Sequence, residues 1–170
     1  MTELAKVGFN VIGIDSSKAA TSFANDNGLT VACGDFPDPR VQGPFDGVVL
    51  SHVLEHIAEP TQFLAHVASV VPTGKVFFTQ TDHQGLMRKR LGTRWYWVPD
   101  QHFWHFTPFG LTTLLKSCGW GRSVVKKSSL IHHPRSRCAL LTRFYPWFGD
   151  QFHLVSSPAA VAQEAASVRC

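Results

Sequence analysis

Short apolar runs and polar segments of helical spacing alternate along the first 82 residues. FNVIGID, from Phe9 to Asp15, is a β-branched run that ends on an acid, and the spacing in SSKAATSFANDNG predicts a helix after it. Ser16 or Ser17 suits the N-cap of that helix, and Gly28 suits a left-handed stop. LTVACGD predicts a second short strand, again ending in an acid, Asp35. FDGVVLSH is a continuous apolar run of the kind buried on both faces of a parallel sheet. Pro60 stands where a first helical turn tolerates it, TQFLAHVASVV carries apolar residues at helical spacing, and Pro72 and Gly74 close it before the strand KVFFTQT. Strands alternating with helices imply right-handed crossovers and a parallel sheet flanked by helices, an α/β fold.

The pattern then changes. Residues 82 to 106 show no clean period, TPFGLTTLLKSCG predicts a helix opened by Thr107 and Pro108, and SVVKKSSLI predicts a strand. Residues 135 to 147 have helical character, FHLVSS suits a last edge strand, and the alanine-rich tail suits a frayed helix or disorder. The expected organisation is one domain over residues 1–157 with a tail over 158–170.

Composition supports a single core: 170 residues, 44% of them hydrophobic. Four scattered cysteines (Cys33, Cys118, Cys138, Cys170) form no C-x-x-C pair, so a disulfide framework and a thiolate zinc site are not expected, and a reducing cytoplasmic setting is. No apolar stretch approaches the roughly 20 residues of a membrane-spanning helix. Charge is divided unevenly. Residues 1 to 82 hold four Lys/Arg against nine Asp/Glu, whereas residues 83 to 143 hold eleven against Asp100 alone. All five tryptophans lie beyond residue 83, which marks the later region as the partner-facing one.

The succession VIGID-S, ACGDF, FDGVVLSHVLEHIAEP, PTGKVFFTQTD and HFWHFTPFGLTTLLKSCGW resembles the class I S-adenosylmethionine-dependent methyltransferases. The likeness is strongest to the small-molecule group related to the ubiquinone O-methyltransferases, over roughly residues 7 to 120. The resemblance implies a Rossmann-like parallel sheet with flanking helices and S-adenosylmethionine as cofactor. It gives Asp15, with Ser16 beside it, the ribose hydroxyls, Asp35 and Phe36 the adenine, and Ser51 and His52 the methionine and sulfonium end. Ligands of open parallel sheets sit at the carboxyl ends of strands, where these residues fall. Such families begin with a strand and a Gly-x-Gly loop, whereas MTELAKVG resembles the end of the helix that follows that loop. The expected chain therefore lacks the first strand and glycine-rich loop. Gly119 and Gly121 follow a helix and do not replace it.

Nine histidines raise metal and general-base readings. His52, Glu55 and His56 match H-x-x-E-H, but the run follows a buried strand and lacks a suitable third ligand, so a zinc peptidase is set aside. Some ubiquinone O-methyltransferases resemble this site with an acid in place of His52 and hold a divalent cation there. Imidazole is a poorer partner for magnesium, and no metal is assigned. His102 and His105 flank Phe103 and Trp104 in the segment that the resemblance places over the acceptor, and they are the candidate catalytic bases. His132 and His133 receive no role.

The expected function is methyl transfer from S-adenosylmethionine to a small-molecule or lipid-linked acceptor, on oxygen, provided the missing loop is supplied or dispensable. The alternative is a non-catalytic binding protein of this fold that has lost cofactor affinity. GLMRKRLGTRWYWVP mixes Arg88, Lys89, Arg90 and Arg94 with tryptophans, so peripheral membrane contact through residues 85–99 is a further expectation. No nucleic-acid module is visible, and nucleic acid is not expected as a partner. A homodimer that covers the exposed sheet edge is expected from the missing strand.

Overall fold

The structure, a computed structural model, describes residues 1–92, 101–128 and 151–159. The predicted helix over 135–147, most of the tail and the aromatic stretch 93–100 lie outside the described residues. The chain divides into two compact units, Met1–Gly43 and Pro44–Cys170.

In the first unit, α1 (Thr2–Lys6) is the short helix that MTELAKVG suggested, and β1 (Ile12–Asp15) leads into α2 (Lys18–Asp26). Ser17 caps α2, its hydroxyl accepting the Ala20 amide at 3.3 Å, and Gly28 takes the left-handed conformation at φ 79°. The chain returns through β2 (Thr30–Cys33), which pairs in parallel with β1, Asp15 lying opposite Cys33.

The second unit holds a four-stranded sheet in the order β3-β4-β6-β5. β3 (Gly47–Ser51) and β4 (Lys75–Thr81) pair in parallel across α3 (Pro60–Val70), whose first residue is the predicted proline. After β4 come α4 (Leu86–Leu91), α5 (Pro108–Ser117), β5 (Val124–Ser128) and β6 (Gln151–Ser156). β6 is not the edge strand that its position in the sequence suggested. It runs antiparallel between β4 and β5, the interior place that its buried Phe152 and Leu154 require.

One face of this sheet is buried, with Leu50, Val76, Phe78, Phe152 and Leu154 in the core together with Leu64 and Val67 of α3 and Leu111 and Leu115 of α5. Trp120 meets Phe78 edge to face at 6.0 Å. On the other face Val49 and Phe77 remain 55% and 43% exposed, so β3 is not buried on both faces as its apolar run predicted. Gly74 is required where it stands: a Cβ there would run into the backbone carbonyl of Asp46, which also accepts the Lys75 amide and opens the β3–β4 register.

Candidate active site

The first unit presents two of the expected acids. Asp15 ends β1, and its Oδ1 accepts the Ser17 backbone amide at 2.8 Å, so it shapes the turn into α2. Asp15 and Ser16 are both exposed, and the Asp15 carbonyl accepts the Gly34 amide at 3.0 Å, joining the ends of β1 and β2. Asp35 is exposed and Phe36 half-buried in the loop that follows β2. Arg40 holds this loop by donating to the Cys33 carbonyl at 2.8 Å and gripping the Asp38 carboxylate through Nε and Nη2 at 2.8 and 2.6 Å. Those hydrogen bonds hold the Asp38 carboxyl down to about 2. Sequence reasoning missed this pair, although a D-x-R spacing is a short-range signal for it.

In the second unit, Ser51 ends β3 and is exposed. His52 follows with φ 53°, a left-handed backbone uncommon outside glycine, and its amide donates to the Thr79 carbonyl at 3.0 Å. The imidazole lies with Nδ1 3.1 Å from Glu55 Oε1 and Nε2 2.7 Å from the Gln151 side-chain nitrogen. Glu55 is 3% exposed. Burial pushes its carboxyl up, but the His52 hydrogen bond and then its own backbone amide hold it below the usual range. No local pattern points to Gln151, which approaches from a strand 99 residues away.

The segment 101–106 is fastened to the 3₁₀ turn Leu54–His56 and the residues after it. The Glu55 carbonyl accepts the Phe103 and Trp104 amides at 2.9 and 3.3 Å, and His56 Nδ1 lies 3.2 Å from the Gln101 carbonyl. Trp104 Nε1 donates to the Ile57 and Ala58 carbonyls at 2.9 and 3.3 Å. The same segment reaches the residues after β4, where the His83 amide donates to the Phe106 carbonyl at 3.1 Å. Four imidazoles therefore follow one another. His56 meets His102 at 4.7 Å between ring centres, His102 meets His105 at 5.9 Å, and His105 stacks on His83 at 4.0 Å.

Burial, and then the neighbouring His105, push His83 down to about 4, and burial likewise lowers His102. Next to them Asp82, fully buried, takes Lys127 Nζ at 2.7 Å on Oδ2 and the Gln84 amide at 2.9 Å on Oδ1. The two predicted bases thus come together but face different neighbours, His105 toward His83 and His102 toward His56 and Glu55. Donor atoms of Glu55, His56 and His102 all lie within 4.8 Å of one another.

A family described as "Methyltransferase domain" matches residues 1–121, well over half of the chain. The chain belongs to this methyltransferase family. The chain is similar in sequence to the ubiquinone biosynthesis O-methyltransferase of Caulobacter vibrioides, 32% identical over 117 residues that cover 59% of this chain and 46% of that protein. The corresponding protein of Caulobacter sp. (strain K31) is 31% identical over the same shares. The chain thus spans less than half the length of these curated relatives.

Among solved structures, a SAM-dependent methyltransferase from Archaeoglobus fulgidus superposes with TM-score 0.68 at 13% identity over 91% of this chain and 79% of its own. Magnesium protoporphyrin IX methyltransferase from Synechocystis PCC 6803, solved with bound SAH, gives 0.58 at 17% identity over 91% and 66%. These likenesses establish that the chain has the class I α/β fold that its motifs resemble, and S-adenosylmethionine is the cofactor of that class.

Proposed function

We propose that this protein moves the methyl group of S-adenosylmethionine to a hydroxyl oxygen of a small-molecule acceptor. The observation that carries this reading is the set of imidazoles His102, His105 and His83, brought together where backbone hydrogen bonds tie the 101–106 segment to the turns that follow β3 and β4 in a methyltransferase domain. Methyl transfer is an in-line displacement that needs alignment, and a hydroxyl acceptor also needs a base. The acceptor oxygen attacks the methyl carbon, the C–S pair returns to sulfur, and S-adenosylhomocysteine leaves. The acceptor proton passes to a ring nitrogen of exposed His105. A neutral His83 stacked beneath it adds no second positive charge when the proton arrives.

Asp15 serves the ribose hydroxyls, Asp35 the adenine amino group and Phe36 its ring, while Ser51 and His52 line the methionine end. The names of the similar Caulobacter proteins favour oxygen as the methylated atom. A lipid-linked acceptor reached at an anionic, cytoplasmic membrane face extends the reading, on the Arg88–Lys89–Arg90 run of α4. Among the described residues no helix is long and apolar enough to cross a membrane.

Calorimetric titration with S-adenosylmethionine and S-adenosylhomocysteine tests the cofactor assignment. Micromolar binding is expected, weakened at least tenfold by Asp15→Ala and by Asp35→Ala. With a panel of phenolic acceptors, His105→Ala lowers kcat by about 10²- to 10⁴-fold without changing cofactor affinity. If neither cofactor form binds, the enzyme reading gives way to a non-catalytic binding protein of this fold. For the membrane contact, co-sedimentation with phosphatidylserine vesicles is expected to be lost when Arg88, Lys89 and Arg90 are changed to Glu. Equal sedimentation of the variant removes that extension.

A further inference from the structure

The donors grouped around the turn after β3 are one carboxylate and two imidazoles, from Glu55, His56 and His102. Glu55 and His56 are prepared for a further bond. Glu55 Oε1 faces His52 Nδ1, while Oε2 is buried without a hydrogen-bond partner, a costly condition that a bound cation offsets. Facing a backbone carbonyl, His56 Nδ1 must carry a proton, which leaves the lone pair on Nε2. That is the arrangement in which a carbonyl orients a metal-ligating histidine. His102 is delivered from a separate segment, its position set by the Phe103 and Trp104 amides on the Glu55 carbonyl.

Some ubiquinone O-methyltransferases that resemble this site hold a divalent cation here, with an acid in place of His52. This chain does not fit an oxygen-rich magnesium site. Position 52 is a histidine held by Glu55 and Gln151, and the donor group contains a single carboxylate. Magnesium demands near-octahedral oxygen coordination, whereas imidazole nitrogen with carboxylate oxygen suits zinc and its neighbours among the transition metals.

We propose that Glu55, His56 and His102 form a two-histidine, one-carboxylate site for a divalent transition-metal ion of the zinc type, with His52 positioning the Glu55 carboxylate. Loading this site requires neither methyl donor nor acceptor, so it stands or falls independently of the methyl-transfer reading. Bound metal would also tie the 101–104 segment to the turn after β3 through His102.

The test uses the whole 170-residue chain stripped of metal with a chelator, titrated calorimetrically with zinc alone and with magnesium alone. Expected are one tight equivalent of zinc, no displacement by excess magnesium, at least tenfold weaker zinc binding in His102→Gln, and about ten- to hundredfold weaker binding in His52→Ala. X-ray absorption at the zinc edge of the unmodified protein should show two imidazoles, a readout that does not depend on any variant folding. Absence of zinc binding, displacement by magnesium, unchanged affinity in folded His102→Gln, or a one-imidazole spectrum each overturns the proposal.

Discussion

Glu55 is occupied at both ends: its carboxylate faces His52 while its carbonyl receives two amides of the segment that carries the candidate bases. The H-x-x-E-H spacing made these side chains visible in the sequence, but not the partners that define them. Gln151 and His102 lie 99 and about 50 positions away, and contacts at such separations leave no local period to read. What was legible at this scale was chemistry tied to backbone rules, such as the Ser17 cap and the left-handed Gly28. Gly74 belongs to the same class, and Gly74→Ala is expected to lower stability by about 1–3 kcal/mol in urea unfolding because the added methyl has only backbone to push against. Unchanged stability would show that Asp46 yields without cost.

Among the elements, KVFFTQT was read as a strand with the bounds that β4 has, because its alternation of buried Val76, Phe78 and Gln80 with more exposed neighbours is the period of a half-buried sheet. LMRKRL was missed as α4: six residues between Gly85 and Gly92 are too few to display a helical period. FHLVSS reads as a strand but not as the interior β6, since the antiparallel insertion between β4 and β5 is a property of topology. α5 shows where local and tertiary signals agree. Thr107 caps it, accepting the Gly110 amide at 3.0 Å, and Leu111 and Leu115 point into the core at zero exposure. Thr107→Ala is expected to cost about 1 kcal/mol and Leu115→Ala about 2–5 kcal/mol, both measured by equilibrium urea unfolding. A loss at Thr107 as large as that at Leu115 would mean that the cap also orders the preceding 101–106 segment.

For the whole molecule, the division into an acidic early part and a basic later one was plain in the sequence, whereas the division into units at residues 43 and 44 was not. Neutral histidines make stability depend on pH. His83 lies at about 4 in the folded chain against an ordinary 6.5, and burial lowers His153 in the same direction. Between those two values the unfolded chain binds more protons, so stability should fall as pH drops from about 6.5 toward 4 and stay level in this respect above 6.5. His83→Asn should flatten that part of the profile in thermal unfolding. A profile unchanged by the substitution would remove His83 as its source.

His153 also joins three strands, with Nδ1 3.1 Å from the Thr79 hydroxyl of β4 and Nε2 2.6 Å from the Ser128 hydroxyl of β5. A hydroxyl can give or receive, so this ring accepts its proton on either nitrogen. His52, set between a carboxylate and an amide nitrogen, allows the proton on Nδ1 alone. Nitrogen NMR should therefore find the His153 imidazole averaging between tautomers and the His52 imidazole holding its proton on Nδ1.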